Sequence, residues 1–296
     1  MSRDGSASSR GFSIRIFLAD GSPTGLRLVE KSNWVGRGLV VPRSRFSEAR
    51  ARQEFGKAGV YVLAGPSAET GRERVYIGEG DPVRPRLEQH AAKKDFWTQA
   101  FVFTSEGQNL NKAHVQYLEA RLVELAREAK RCELDNGNQP QRPSLSEADR
   151  AELETFLAEM LLCLPVLGLS AFERPAAPVA RAEPLHIRAK GIEARGYEAD
   201  DGFVVLAKSQ ASKIEVPSIL DYLRALRRDL LTRELLNADG DHYVFVQDYT
   251  FTSPSTAAGV VLGRSANGRT EWKDARGHTL KELQANTTDT ASGEND

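Results

Sequence analysis

Five side chains in the first half of the sequence are of types that together can cut a phosphodiester: Tyr61, Tyr76, Arg86, His90 and Glu119. Such hydrolysis needs an activated water, stabilisation of charge on a phosphorane-like transition state, and usually a divalent ion beside the leaving oxygen. Arg86 and His90 are four residues apart and so share one face of a helix. A planar guanidinium there can clamp a phosphate oxygen, and an imidazole can act as a base or a phosphate contact. Glu119 has Val115, Leu122 and Val123 as its helical neighbours, so a carboxylate is set against an apolar stripe. It must find a cation, a donor or a metal ion to offset its lost hydration. A hard divalent ion such as magnesium suits it, and an ion pair with Arg121 or Lys94 is the alternative. From residue 84 to 94 the cations Arg84, Arg86, Lys93 and Lys94 outnumber Glu88, a local excess able to face a phosphate backbone.

These residues need elements to carry them. Alternation and turn composition predict strands over 12–18, 26–30 and 34–41, which form an N-terminal β element, followed by a short helix over 47–55. Residues 59–64 and 74–78 read as a hairpin and 96–104 as a third strand. Asp81 and Pro82 open a helix as capping carboxylate and first-turn proline, carrying Arg86 and His90 to about Lys94. A long amphipathic helix over 111–131, capped by Asn111, carries Glu119, and a further helix runs over 146–163. Gly78 ends the second strand where a substrate backbone would come close, or simply terminates it.

With 296 residues and 40% hydrophobic side chains the chain can build two domains, and the predicted class is α+β. The boundaries fall at 12–57 for the β element and 58–173 for the first domain, with a proline- and alanine-rich linker over 174–186. A second, smaller α+β domain covers 187–285, and a polar tail without structure covers 286–296. In the second domain a hairpin flanks Asp200, Asp201 and Gly202, and a helix over 216–236 presents Arg224, Arg227 and Arg228 on one side. The net charge is -1, which excludes a global basic field, so any nucleic-acid site is local. The two cysteines, Cys132 and Cys163, lie away from any ligand at metal spacing, which argues against zinc and disulfide frameworks. The N-terminus lacks an apolar core and no stretch reaches the roughly 18 apolar residues of a membrane span. A cytoplasmic setting is expected.

The order and spacing of Gly59-Val60-Tyr61, Tyr76-Ile77-Gly78, Arg86, His90 and Glu119 resemble the GIY-YIG nuclease family. The likeness covers about 58–138, with the following helix and Leu167-Gly168-Leu169 similar to an extension in a bacterial subgroup, and its one departure is Val60 in place of isoleucine. The resemblance implies a small three-stranded antiparallel sheet flanked by helices and a DNA endonuclease dependent on one magnesium or manganese ion held by Glu119. It implies that Tyr61 lies near the attacking water and Tyr76 at the phosphate. It also implies that Asn138, or Asn136, contacts the phosphate, although both residues suit a turn equally. An RNA-cleaving enzyme, or a module that binds nucleic acid or protein without cutting, uses the same scaffold. The segment with Phe251-Thr252-Ser253-Pro254-Ser255, Asn267-Gly268 and Trp272 is similar to an uncharacterised domain family that often follows such nucleases or occurs in restriction-related proteins. Its charges cancel, which suits a recognition or protein-contact module with Arg224, Arg227 and Arg228 as its nucleic-acid candidate.

Overall fold

The computed structural model describes residues 11–69, 72–106, 110–173, 183–189, 191–200 and 202–291. The chain divides into two compact units, Met1–Glu173 and Arg174–Asp296, each of mixed helices and sheets. Residues 1–10, most of the predicted linker and Asp201 lie outside the described residues. Among the described residues no helix is long and apolar enough to cross a membrane.

In the first unit, β1 (Ile14–Leu18), β2 (Arg27–Lys31) and β3 (Gly36–Pro42) precede a four-residue helix α1 (Phe46–Ala49). Then come β4 (Gly59–Pro66), β5 (Glu73–Gly80), α2 (Val83–Lys93), β6 (Gln99–Ser105), α3 (Lys112–Ala129), β7 (Glu133–Leu134) and α4 (Glu147–Val166). The expected small three-stranded sheet is the middle of a larger one. The seven strands run in the order β1-β2-β3-β6-β4-β5-β7, because β3 pairs with β6 along its whole length. The N-terminal β element is therefore no separate piece. The helix expected over 47–55 is broken into α1 and a 3-10 turn at Gln53–Gly56, and a further 3-10 turn, Arg43–Arg45, precedes α1.

Strand alternation sorts the side chains onto two faces. Val60, Val62, Val75, Ile77, Phe101 and Phe103 pack under α3 and α4, with Val115, Leu118, Leu122 and Val123 supplying the α3 stripe. Leu39, Val41, Tyr61, Leu63, Ala100 and Val102 pack on the opposite side against Val83, Leu87 and Ala91 of α2. Asn111 caps α3 by accepting from the His114 N–H (3.0 Å), and Ser146 caps α4 by accepting from the Asp149 N–H (3.0 Å). The cap expected for α2 is absent: its N-cap is Pro82, with no side-chain hydrogen bond. The Val83 N–H instead donates to the Lys57 carbonyl (2.9 Å).

The second unit opens with β8 (Leu185–Ala189), so the predicted linker ends two residues early. β9 (Ile192–Ala199) and β10 (Gly202–Val205) form the expected hairpin, followed by β11 (Gln210–Ser212) and α5 (Asp221–Thr232). Next are β12 (Leu236–Asp239), β13 (His242–Phe245), β14 (Tyr249–Phe251), α6 (Pro254–Leu262), α7 (Gly268–Glu271) and α8 (Leu280–Ala291). The strands form two sheets, β14-β10-β9-β8 and β11-β13-β12. Helix α5 is shorter than the predicted 216–236 because Leu220 is its N-cap and Glu234 takes a left-handed conformation (φ 54°). Its arginine face is also corrected. Arg227 is 1% exposed, donates to Glu215 (2.8 Å) and to the carbonyls of Val260 and Ser212, and is spent on the core. The tail expected to lack structure from 286 continues α8 to Ala291.

Candidate active site

Tyr61 on β4 and Tyr76 on β5 point to the α2 face, where His90 reaches both. The Tyr61 hydroxyl lies 2.5 Å from His90 Nδ1 and the Tyr76 hydroxyl 3.4 Å from His90 Nε2. Burial, with Arg86, Lys94 and Lys93 adding to it, holds His90 down to about 4, so the ring is neutral at pH 7 and carries one N–H. Tyr61 is fully buried and has no other acceptor for its proton among the described residues. Its O–H therefore donates to Nδ1, which leaves the Nε2 N–H directed at the Tyr76 oxygen. Tyr76 is half-buried and keeps its own O–H for another partner.

Tyr61, expected near an attacking water, is closed off from solvent and meets His90, whereas Tyr76 keeps part of its surface exposed. Burial raises the pKa of both phenols, and for Tyr76 the charge of Glu119 is the next cause. In the β4–β5 register Gly78 faces Tyr61, and a Cβ there would lie 2.4 Å from both Cζ and the hydroxyl of that ring. The space is taken by Tyr61.

Arg86 is exposed, donates to Gln89 (2.8 Å) and acts through space on both tyrosines, lowering their pKa values against the burial effect. Glu119 on α3 acts on them with the opposite sign. Neither cation named as its possible partner is available to it. Arg121 donates to Glu154 (2.6 Å) and pairs with Glu124, and Lys94 pairs with Asp135. Among the described residues Glu119 makes no hydrogen bond or ion pair, and burial followed by repulsion from Glu79 pushes its carboxyl up to about 7. Glu79 is paired with Lys112 (2.8 Å).

The remaining expected residues are more dispersed. Arg84 donates to the Arg52 carbonyl (3.3 Å), Lys93 is exposed and acts on His90 only through its charge, and Asn138 is exposed in the loop after α3. Asn136 is structural: its Oδ1 accepts from the Ile77 N–H (2.9 Å) and its Nδ2 donates to the Ile77 carbonyl (2.8 Å). β7 pairs with β5 only at Arg74 and Val75, so the side chain of Asn136 continues the ladder where the backbone stops. Asn136→Ala is expected to lower stability by roughly 1–3 kcal/mol, read as the urea midpoint at unchanged slope. A residue that only contacted phosphate would leave that midpoint in place.

No group of three His, Cys, Asp or Glu side chains is arranged to hold a metal ion among the described residues. Glu79 and Asp135 are neighbours that no spacing in the sequence points to, and Lys94, named above as a local cation and a possible partner of Glu119, pairs with Asp135 instead.

Residues 185–284, about a third of the chain, match the model of a domain of unknown function (DUF4357). No curated protein matches the chain. No solved structure matches it either.

Proposed function

We propose that the first unit is a metal-dependent endonuclease of GIY-YIG type that hydrolyses phosphodiester bonds in DNA. One observation carries the reading: Tyr61 and Tyr76 meet on a neutral His90, within the fields of Arg86 and of an unpaired Glu119. A structural carboxylate in that position would have acquired a counter-ion, as Glu154 and Asp135 have.

The donor chemistry fits a hard divalent ion. Glu119 is an oxygen ligand short of positive charge, with Glu79 adding negative potential beside it. Magnesium or manganese held by Glu119, with water and phosphate filling its other positions, would supply charge neutralisation at the leaving oxygen. The chain's own groups do the rest. Arg86 is free enough to turn its fork onto a phosphate oxygen. Tyr76, whose oxygen is addressed by His90 Nε2, offers its O–H to the phosphate or to the attacking water. Tyr61 fixes the His90 tautomer and does not itself touch water.

Purified protein incubated with supercoiled plasmid and magnesium should convert it to nicked circles, and EDTA should stop the conversion. Arg86→Ala should slow nicking by roughly 10²–10³, the range for losing one donor at a developing oxyanion. Equal nicking by wild type and Arg86→Ala would place the activity elsewhere. The local cations face ten acidic residues against eleven basic ones over 59–131, so affinity should be modest and fall with salt.

A further inference from the structure

Tyr76 stands on a strand whose outer edge is secured at two adjoining places, and the residues that secure it are consecutive. Asn136 holds the backbone of Ile77. Asp135 accepts from Arg74 Nε (3.0 Å), its N–H donates to the Val75 carbonyl (2.8 Å), and it forms an ion pair with Lys94. Lys94 is the C-cap of α2, with its N–H on the His90 carbonyl (2.9 Å), and its ammonium lies 4.0 Å from the centre of the Tyr76 ring. His90 meets the same ring edge-on at 4.7 Å. The last turn of α2 therefore contacts Tyr76 twice, through the His90 imidazole and through an ammonium over its face.

We propose that Lys94, tethered by Asp135 and through it to Arg74, is the positioning residue that fixes the ring of Tyr76 in the active site. The ion pair alone is a costly arrangement on a half-buried lysine, because both charges lose hydration. It is offset where the ammonium also rests on an aromatic face, an attraction of electrostatic origin that strengthens with desolvation. A ring gripped this way loses rotamer freedom before substrate arrives, so the cost of ordering the phenol is met in folding and not in the transition state. The Asp135 carboxyl is held below its usual range, burial opposing and Lys94 and Arg74 prevailing, so the tether is ionised at neutral pH.

This inference rests on the nuclease reading, and its test separates the two. Lys94→Met keeps the aliphatic stem and removes the charge, Lys94→Arg restores it, and Asp135→Asn loosens the tether with Lys94 intact. Lys94→Met should lower nicking turnover by about 10- to 100-fold with KM within about twofold, and Lys94→Arg should recover most of it. Independently of activity, the ring signal of Tyr76 in protein labelled with 13C-tyrosine, assigned by Tyr76→Phe, should move in Lys94→Met. The same signal should move in the same direction in Asp135→Asn. A folded Lys94→Met protein whose Tyr76 signal stays in place overturns the proposal, as does wild-type turnover in that variant. If wild-type protein leaves plasmid uncut with magnesium, the nuclease reading fails, and the Tyr76 signal still decides whether Lys94 holds the ring.

Discussion

Glu119→Gln should abolish cleavage and at the same time stabilise the protein at alkaline pH. The loss follows from chemistry: an amide is a far poorer ligand than a carboxylate for a hard divalent ion, and the several kcal/mol of charge stabilisation such an ion supplies correspond to roughly 10³ or more in rate. The gain follows from linkage. Burial and Glu79 raise the Glu119 carboxyl from its ordinary value to about 7, so the folded protein binds that proton more tightly than the unfolded chain does. Below the unfolded value both states are protonated and Glu119 costs nothing. As pH rises towards 7 the unfolded carboxyl ionises first, and above 7 the folded state carries a desolvated charge whose cost is fully expressed.

Removing that charge should therefore raise stability by about 1 kcal/mol at pH 8, after allowance for solvent screening of a half-buried group, and should change nothing near pH 4. Thermal melting of the two proteins at both pH values decides this. A Glu119 that serves as a structural anchor predicts the opposite sign at pH 8, because its partner would be left unpaired. Cleavage has the reverse dependence on pH. Metal binding needs the carboxylate, so activity should fall about tenfold for each unit below pH 7, and added magnesium should shift the limb to lower pH by competing with the proton.

The helices were legible because their signals are local. The α3 stripe of Val115, Leu118, Leu122 and Val123, the Asn111 cap and the β4–β5 hairpin rest on neighbours within a few positions, and all three form. What escaped depends on residues far apart in the chain. Pairing of β3 with β6 joins residues 57 to 69 positions apart, and nothing in either strand's alternation names its partner. Arginines three and four apart look like a solvated face, yet Glu215 and two carbonyls give the Arg227 guanidinium an interior site in which each nitrogen donates. The site shows the same division. The shared face of Arg86 and His90 could be read from their spacing, whereas the burial of Tyr61 and the engagement of Lys94 by Asp135 exist only once β5, α2 and the loop after α3 are together.

Gly78→Ala should be the most disruptive single-methyl change in the site. The added carbon would lie 2.4 Å from Cζ and the hydroxyl of Tyr61, far inside van der Waals contact, and that ring is fully buried with its hydroxyl on His90. Relief requires the ring to leave its rotamer and break the hydrogen bond, so overpacking and a stranded polar pair act together, at roughly 3 kcal/mol. His90 would then lose the partner that fixes its tautomer, and turnover should drop by at least about 100-fold even in protein that remains folded. A double-mutant cycle with Tyr61→Leu identifies the cause. If the methyl collides with the ring, Gly78→Ala becomes much less destabilising once the ring is gone, and the two changes are non-additive by more than about 1 kcal/mol. A glycine kept open for an approaching substrate backbone predicts additive effects on stability, a wild-type melting temperature for Gly78→Ala, and a defect confined to KM. The register that sets Gly78 opposite Tyr61 favours the first outcome, because the ring already occupies the volume that a substrate would need.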